Sequence, residues 1–316
     1  MAAAYDVVVV GGGAAGLSGA LTLARARRPV VVVDAGSPRN APASGVHGFL
    51  SRDGISPARL LEDGRADVRR YGGHIVAGEV SAAGLDRDGF TVTLAGGRTV
   101  TARRLLVTTG LADELPDVPG VRELWGRGVH HCPYCHGWEL RDQAIGVLAS
   151  GPRAVHQALL FRQWSADVTL FLHRTPPLDG EQAEELAARG IGVVPGEVGS
   201  LETAGGQLTG VRLCDGTVIP RQALVVMPRL VARAGALASL GLKPVPDPLG
   251  MGEHIPADPT GLTAVPGVWV AGNVTDLMAQ VVSAAAAGVT AAAAINADLI
   301  ADDTRRAVAA YRLTGG

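Results

Sequence analysis

The sequence predicts an α/β fold built from two nucleotide-binding βαβ units, and three observations carry that prediction. The first is a continuous β-branched run, Val7-Val8-Val9-Val10, that feeds directly into Gly11-Gly12-Gly13-Ala14-Ala15-Gly16. Such a run is the pattern of a parallel strand buried on both faces. The second is a similar run, Val30-Val31-Val32-Val33, which ends on Asp34. The third is a repetition of strand, loop, helix and strand between Ala144 and Leu172.

Length and composition agree. A chain of 316 residues, 47% apolar and 18% charged, is long enough for two globular domains with buried cores. Its net charge of −2 gives no electrostatic reason to expect nucleic acid or an anionic membrane as partner. The first strand begins almost at once, at Tyr5-Asp6-Val7, so no signal peptide is expected. The Ala-rich run from Val281 to Ala301 carries Ser283, Thr290, Asn296 and Asp298 and reads as a buried helix rather than a membrane span. Three cysteines are too few for a disulfide scaffold and fit a reducing cytoplasm with one catalytic pair. The third, Cys214, stands alone in a strand-rich stretch and is expected to fill core.

The first unit satisfies G-x-G-x-x-G in its full context. Gly11 permits the tight turn, Gly13 lets a pyrophosphate approach the backbone, and Gly16 lets helix pack on strand. The helix Leu17 to Arg27 presents free N–H groups and its positive dipole end to the phosphates. Asp34 lies 18 residues beyond Gly16, placed to accept hydrogen bonds from an adenosine ribose and to disfavour a 2′-phosphate. The nucleotide is therefore expected to be FAD or NAD. The loop Ala35-Gly36-Ser37-Pro38-Arg39-Asn40 and the run Val46-His47-Gly48-Phe49-Leu50 are longer than a return to the sheet requires and are expected to cover the ligand. Ser56-Pro57 opens an amphipathic helix to Tyr71 as N-cap and first residue. Val76 to Val100 reads as a small antiparallel meander turning at Asp88-Gly89 and Gly96-Gly97, and Leu105 to Gly110 as a buried strand ending in glycine.

Pro116, Pro119 and Gly120 mark an interdomain crossing. Past it comes His130-His131-Cys132-Pro133-Tyr134-Cys135-His136-Gly137-Trp138-Glu139. A C-x-x-C lets two sulfurs meet across one turn and cycle between dithiol and disulfide, with neighbouring histidines lowering a thiol pKa or holding the proton. The same spacing is half of a zinc site, although the second cysteine pair that structural zinc usually needs is missing. The second βαβ unit follows: strand Ala144 to Leu148, loop Ala149-Ser150-Gly151-Pro152-Arg153-Ala154, helix Val155 to Trp164 and strand Val168 to Leu172. Its loop keeps one glycine, and its second strand ends at His173-Arg174-Thr175 without an acid, so its nucleotide site reads as degraded. Helix Glu181 to Arg189, short strands from Val193 to Val226 and a crossing near Leu242 to Pro248 complete it. Gly267-Val268-Trp269-Val270-Ala271-Gly272-Asn273 is then a strand with a polar end facing a ligand, ahead of Gln280-Val281 and the alanine helix through Ile300.

With these residues in place, the chain resembles the low-molecular-weight thioredoxin reductase family over essentially its full length. The resemblance rests on G-G-G-A-A-G, on C-P-Y-C before a second βαβ unit, and on the C-terminal V-A-G-N strand with its alanine helix. It implies two Rossmann-like domains, an FAD-binding domain made of residues 1–113 and 245–316 and an inserted NAD(P)H-like domain of residues 114–244. It also implies a homodimer. The chain departs from the reductases at Ala149 and Ser150, where that family keeps glycines, at Arg174-Thr175, where it keeps phosphate-binding arginines, and at His136, where it has an aspartate. The R-N-A-P loop, H-G-F-L and C-P-Y-C-H-G-W-E are closer to the dithiol oxidases of natural-product pathways, similar to the gliotoxin and holomycin enzymes.

That resemblance implies that Cys135 faces the flavin and Cys132 meets substrate, with His136 as base and Glu139 orienting it. Gly13, Ala14, Ala15 and Gly16 would lie at the FAD pyrophosphate, Asp34 at the ribose, and Asn40 and His47 toward the flavin, with Gly11, Ala35, Arg39 and Gly110 also binding the cofactor. Gly272 and Asn273 would lie near the ribityl chain, and Gln280 and Val281 beside the isoalloxazine. No metal is expected. The implied reaction closes a disulfide in a small-molecule dithiol and passes the electrons through FAD to oxygen. The alternatives are a reductase fed by NAD(P)H or a protein donor, and a non-catalytic redox sensor.

Overall fold

The computed structural model describes residues 4–86, 89–151 and 153–314. The first unit runs β1 (Ala4–Val10), α1 (Ala14–Arg25), β2 (Val30–Asp34), α2 (Pro57–Arg70), β3 (His74–Ala77), β4 (Val80–Asp86), β5 (Gly89–Leu94) and β6 (Thr99–Val107). These form one sheet in the order β3-β2-β1-β6-β5-β4, with Val268–Val270 also paired to β6. The valine runs explain themselves in it. Val7, Val9, Val30 and Val32 face α1 and the C-terminal helix, while Val8, Val10, Val31 and Val33 face the meander, so both sides of each strand are dry.

One strand does the work of two that the sequence suggests. β6 pairs in parallel with β1 from Thr101 to Val107. Its other edge is shared: Thr99 to Ala102 pair antiparallel with β5, and Leu105 to Val107 pair in parallel with Val268–Val270. The meander and the return strand are therefore continuous. Of the two turns expected in the meander, the one at Asp88-Gly89 falls in part outside the described residues. Ser56 caps α2 as expected, its hydroxyl accepting from the Arg59 amide at 3.3 Å.

In the second unit, α3 is the single turn Pro133–His136, followed by α4 (Ala154–Phe161) and α5 (Gly180–Ala188). Its parallel sheet orders Gly192–Val194, Val168–Phe171, Ile145–Leu148, Ala223–Val225 and Val129–His130. A three-stranded antiparallel sheet, Val198–Ala204, Gln207–Leu213 and Val218–Pro220, covers one face through Val198, Leu201, Leu208 and Val211.

The return crossing comes earlier than the sequence suggests. Leu111–Glu114 leaves the first unit and pairs antiparallel with Arg229–Ala232, so the two crossings form one ribbon. Beyond it, Ala232, Leu237 and Leu242 already pack in the core with Val8 and Val10. Residues placed before a boundary at 244/245 thus belong structurally to the first unit.

The last helix, α6 (Val281–Leu313), extends well past Ile300. It is long and apolar enough to cross a membrane by length and composition. However, Ala284, Gly288, Ala291, Ile295 and Leu299 form a buried stripe, and a Cβ on Gly288 would run into the Ala15 backbone of α1. Close approach of two helices requires this small-residue seam. The polar extension is held by ion pairs: Arg103 reaches Asp302 at 2.7 Å and Asp303 at 2.6 Å, and Arg28 reaches Asp303 at 2.7 Å. Cys214 is exposed, a correction to its expected place in the core, because it sits in the turn just past Leu213.

Candidate redox site

Cys132 and Cys135 are joined as a disulfide, with Cα atoms 5.3 Å apart. Cys132 is the N-cap of α3 and Pro133 its first residue, and the amides of Cys135 and His136 donate back to the Cys132 carbonyl. The turn is thus closed by its own backbone, which holds the two sulfurs adjacent in either redox state.

The disulfide and the glycine-rich loop line one cavity of about 1060 Å³. Of the residues expected there, Gly11, Gly13, Ala14, Ala15, Asp34, Ala35, Arg39, Asn40, His47, Gly110, Gly272, Asn273, Gln280 and Val281 line it, with Cys132, Cys135 and His136. Gly16 does not line it: a Cβ there would overlap the Gly11 carbonyl oxygen, so its part is to let helix meet strand.

The cavity leaves the backbone of the glycine loop open. A Cβ built on Gly13 meets nothing within 4 Å, so the space in front of this backbone is open. Gly13 is also the N-cap of α1 and has no side chain to satisfy the amides of the first turn. Gln280, the N-cap of α6, makes no capping bond either. Two uncapped helix starts therefore border the same cavity, each with free N–H groups and a positive dipole end. By contrast α2 and α5 are closed by Ser56 and Asp179 side chains. Asp34 accepts from the amides of Gly12 and Gly36 and stands 3.7 Å from the Arg65 guanidinium, a neighbour on α2 that sequence reasoning missed.

Three expected residues have other partners. The Arg39 guanidinium binds Asp113 through two hydrogen bonds of 2.8 and 2.6 Å and lies 3.2 Å from His131 Nε2. It ties the loop after β2 to the crossing ribbon and to the residue before Cys132. Asn273 donates its amide to the carbonyls of Asp276 and Ala279, bracing the turn into α6, a bond an aspartate could not make. Glu139, expected to orient His136, has its Oε1 3.6 Å from His47 Nε2.

The group that does face His136 is His130, with ring centroids 4.6 Å apart. His130 Nε2 lies 3.2 Å from the Arg127 carbonyl, which can only accept, so the proton is on Nε2 and Nδ1 is a bare lone pair. Nδ1 of both rings is buried without a partner. Burial first, then the nearby His136, pushes the His130 pKa down to about 4. Burial also lowers His136, opposed by Glu139 and reinforced by His47. His131 is stacked on Trp125, and burial with the Arg39 charge brings it to about 4. The histidines beside the disulfide are thus neutral near pH 7, and neutral imidazole is the form that can accept a thiol proton.

The second unit's loop is closed. Ala149 is buried, and the Ser150 hydroxyl donates to the Met227 carbonyl and accepts from the Met227 amide. Pro152 lies outside the described residues. Arg174 is paired with Glu197, and His173 Nδ1 accepts from the Val198 amide.

Comparison with known proteins places the chain in a family. The family model for pyridine nucleotide-disulphide oxidoreductases matches residues 5–288. The thioredoxin reductase tcpT of Claviceps purpurea is 32% identical over 308 residues, covering 94% of this chain and 95% of its own length. The thioredoxin reductase sirT of Leptosphaeria maculans is 32% identical over 317 residues, covering 95% of each. Among solved structures, HlmI superposes with a TM-score of 0.92 at 48% identity, covering 99% of this chain and 98% of its own. An oxidoreductase from Agrobacterium tumefaciens superposes at 0.88 with 38% identity, covering 94% of this chain and 99% of its own. Matched to the family model from residue 5 to 288 and to two relatives over nearly its whole length, this chain belongs to the pyridine nucleotide-disulphide oxidoreductase family.

Proposed function

We propose that the chain is an FAD-dependent dithiol oxidase that closes a disulfide within a small-molecule dithiol, with oxygen as final acceptor. One observation carries this reading: the disulfide shares a cavity with an open dinucleotide cradle, while the loop that a nicotinamide nucleotide would need is filled by Ser150 and Ala149. The cradle fits FAD. Gly13 and the start of α1 would hold the pyrophosphate, Asp34 the ribose, and the start of α6 would border the ring. When bound, the flavin supplies acceptance of two electrons from a dithiol and reoxidation by oxygen.

The chain's own residues handle sulfur and protons. Neutral His136 takes the proton of one substrate thiol, and the thiolate attacks Cys132 Sγ, breaking the Cys132–Cys135 bond and releasing Cys135 as thiolate. The second substrate thiol, losing its proton, attacks the mixed disulfide; the product disulfide forms and Cys132 leaves reduced. The cysteine pair is left as a dithiol holding the two electrons, which a flavin bound in the cradle would accept so that the disulfide can re-form. In sum, dithiol and O2 give disulfide and hydrogen peroxide. His130, its Nε2–H fixed on the Arg127 carbonyl, packs its neutral ring against that of His136.

The names of tcpT and sirT favour a second reading, a thioredoxin reductase. Anaerobic mixing separates the two. Bleaching of the flavin by a dithiol, with NADPH far slower, supports the oxidase; rapid bleaching by micromolar NADPH restores the reductase. A homodimer and a cytoplasmic site of action complete the proposal, testable by sedimentation and by cell fractionation.

A further inference from the structure

A second, smaller cavity of about 420 Å³ lies beside the first, lined by His47, Gly48, Asp53, Tyr134, Trp138 and Glu139. His47 borders both cavities, and Tyr134 belongs to the turn between the two cysteines. Anything seated here therefore touches the turn that carries the redox pair and meets the larger cavity at His47. The volume suits a compact ligand.

Its walls have a distinct chemistry. Tyr134 is 63% exposed and Trp138 66%, an unusual outlay of aromatic surface for residues with no partner there. Tyr134 is fixed edge-on against Trp164, and one face of Trp138 is covered by the Arg141 guanidinium at 4.4 Å. Both rings are thus oriented, and Trp138 has one face left. The charges are carboxylates: Glu139 and Asp53 stand 3.6 and 3.5 Å from the two nitrogens of His47, and Asp53 is held by the Gly48 amide at 2.9 Å. The neighbouring cations are turned elsewhere, Arg52 to Asp63 and Arg141 to the Trp138 ring and carbonyl.

We infer that this cavity is the seat for the body of the dithiol, and that it selects a compact, planar ring system without negative charge while rejecting anionic thiols. The inference rests on the oxidase reading above and adds the substrate class. A flat ring stacks on the open face of Trp138, its N–H or cationic groups meet Glu139 and Asp53, and its thiols reach the disulfide past His47. A carboxylate on the substrate would face two like charges instead.

The test uses holoenzyme and two probes with the same thiols, dihydrolipoamide and dihydrolipoate, which differ in an amide against a carboxylate. Two exposed like charges at the mouth should favour the amide by about tenfold in kcat/KM. The preference should shrink at high salt and fall toward one in the Glu139→Gln, Asp53→Asn double variant. Separately, Trp138→Ala should raise KM several-fold for 1,2-benzenedimethanethiol and much less for dithiothreitol. Equal kcat/KM for the two lipoyl probes in the wild type, or a ratio unmoved in the double variant, would overturn the assignment and leave the oxidase reading standing. An equal effect of Trp138→Ala on aromatic and aliphatic dithiols would do the same. If no dithiol reduces the flavin, the oxidase reading falls and this assignment with it.

Discussion

The two βαβ units are alike in topology and opposite at the one place where a nucleotide would sit. In the first, strand β1 gives way to backbone with open space before Gly13 and an uncapped helix behind it. In the second, the corresponding turn carries Ser150, whose hydroxyl bonds both polar groups of Met227, and beyond the second strand Arg174 is bound to Glu197 while His173 Nδ1 accepts from the Val198 amide. Helix α4 is also uncapped by any side chain, so helix polarity is present in both. A bare helix start is therefore insufficient. What differs is room for the phosphate, and it is removed by one or two side chains.

The largest expected effect breaks the first unit. Gly13→Val points into open space and asks nothing of the fold, so the variant should match the wild-type apoprotein in denaturation, to within about 0.5 kcal/mol. Its flavin content should nevertheless drop from one per chain toward none. Gly16→Val should instead fail to fold, since its side chain would overlap the Gly11 carbonyl. Flavin absorbance per chain beside circular dichroism separates the two, and retained flavin in Gly13→Val would remove the cradle.

The next largest concerns the second unit. NADPH should bleach the flavin at least about a hundredfold more slowly than a reduced dithiol, a barrier difference near 3 kcal/mol. Opening the loop with Ala149→Gly and Ser150→Gly, and freeing Arg174 with Glu197→Gln, should raise the nicotinamide rate in stopped flow. A rate that stays flat would show that these side chains are not what closes the site.

A smaller effect lies at the joint between the units. His130 is neutral in the fold with a pKa near 4, below its ordinary 6.5, so the unfolded chain takes up a proton first as pH falls. Its contribution is complete above 6.5 and is lost as pH drops toward 4, amounting to about 2 kcal/mol between pH 7 and pH 5. His130→Gln should flatten the dependence of the denaturation midpoint over that interval. Unchanged steepness would mean that His130 is not buried neutral. The smallest effect is at Cys214, exposed in the turn after Leu213: Cys214→Ser should change stability by less than about 0.5 kcal/mol and leave turnover untouched.

What the sequence made legible is what local chemistry dictates. Valine runs imply two-sided burial, Ser56-Pro57 implies a helix start, and a Cys-Pro-Tyr-Cys spacing brings two sulfurs together, because each acts within a few residues. β6 was not legible as one strand, since its partner changes at Arg103 and no residue marks where one neighbour ends. The reach of α6 past Ile300 depends on Arg28 and Arg103, more than 190 residues distant for the latter. The partnerships of Glu139 with His47, and of His130 with His136, have the same character. Sequence supplied the histidines and the acid, and packing chose which of them meet.

The crossing ribbon has a consequence for how such a chain can be rebuilt. Glu114 lies opposite Arg229 in register, so the inserted segment leaves and returns at neighbouring points, as a hairpin does. The hydrophobic clusters respect that seam: those of the first unit draw on residues up to Val107 and from Ala232 onward, and those of the second on residues 118 to 226. A short turn joining 114 to 229 would therefore excise the inner domain while cutting through no core. By the same geometry, a different domain with adjacent ends could be spliced in there, which makes the ribbon a socket.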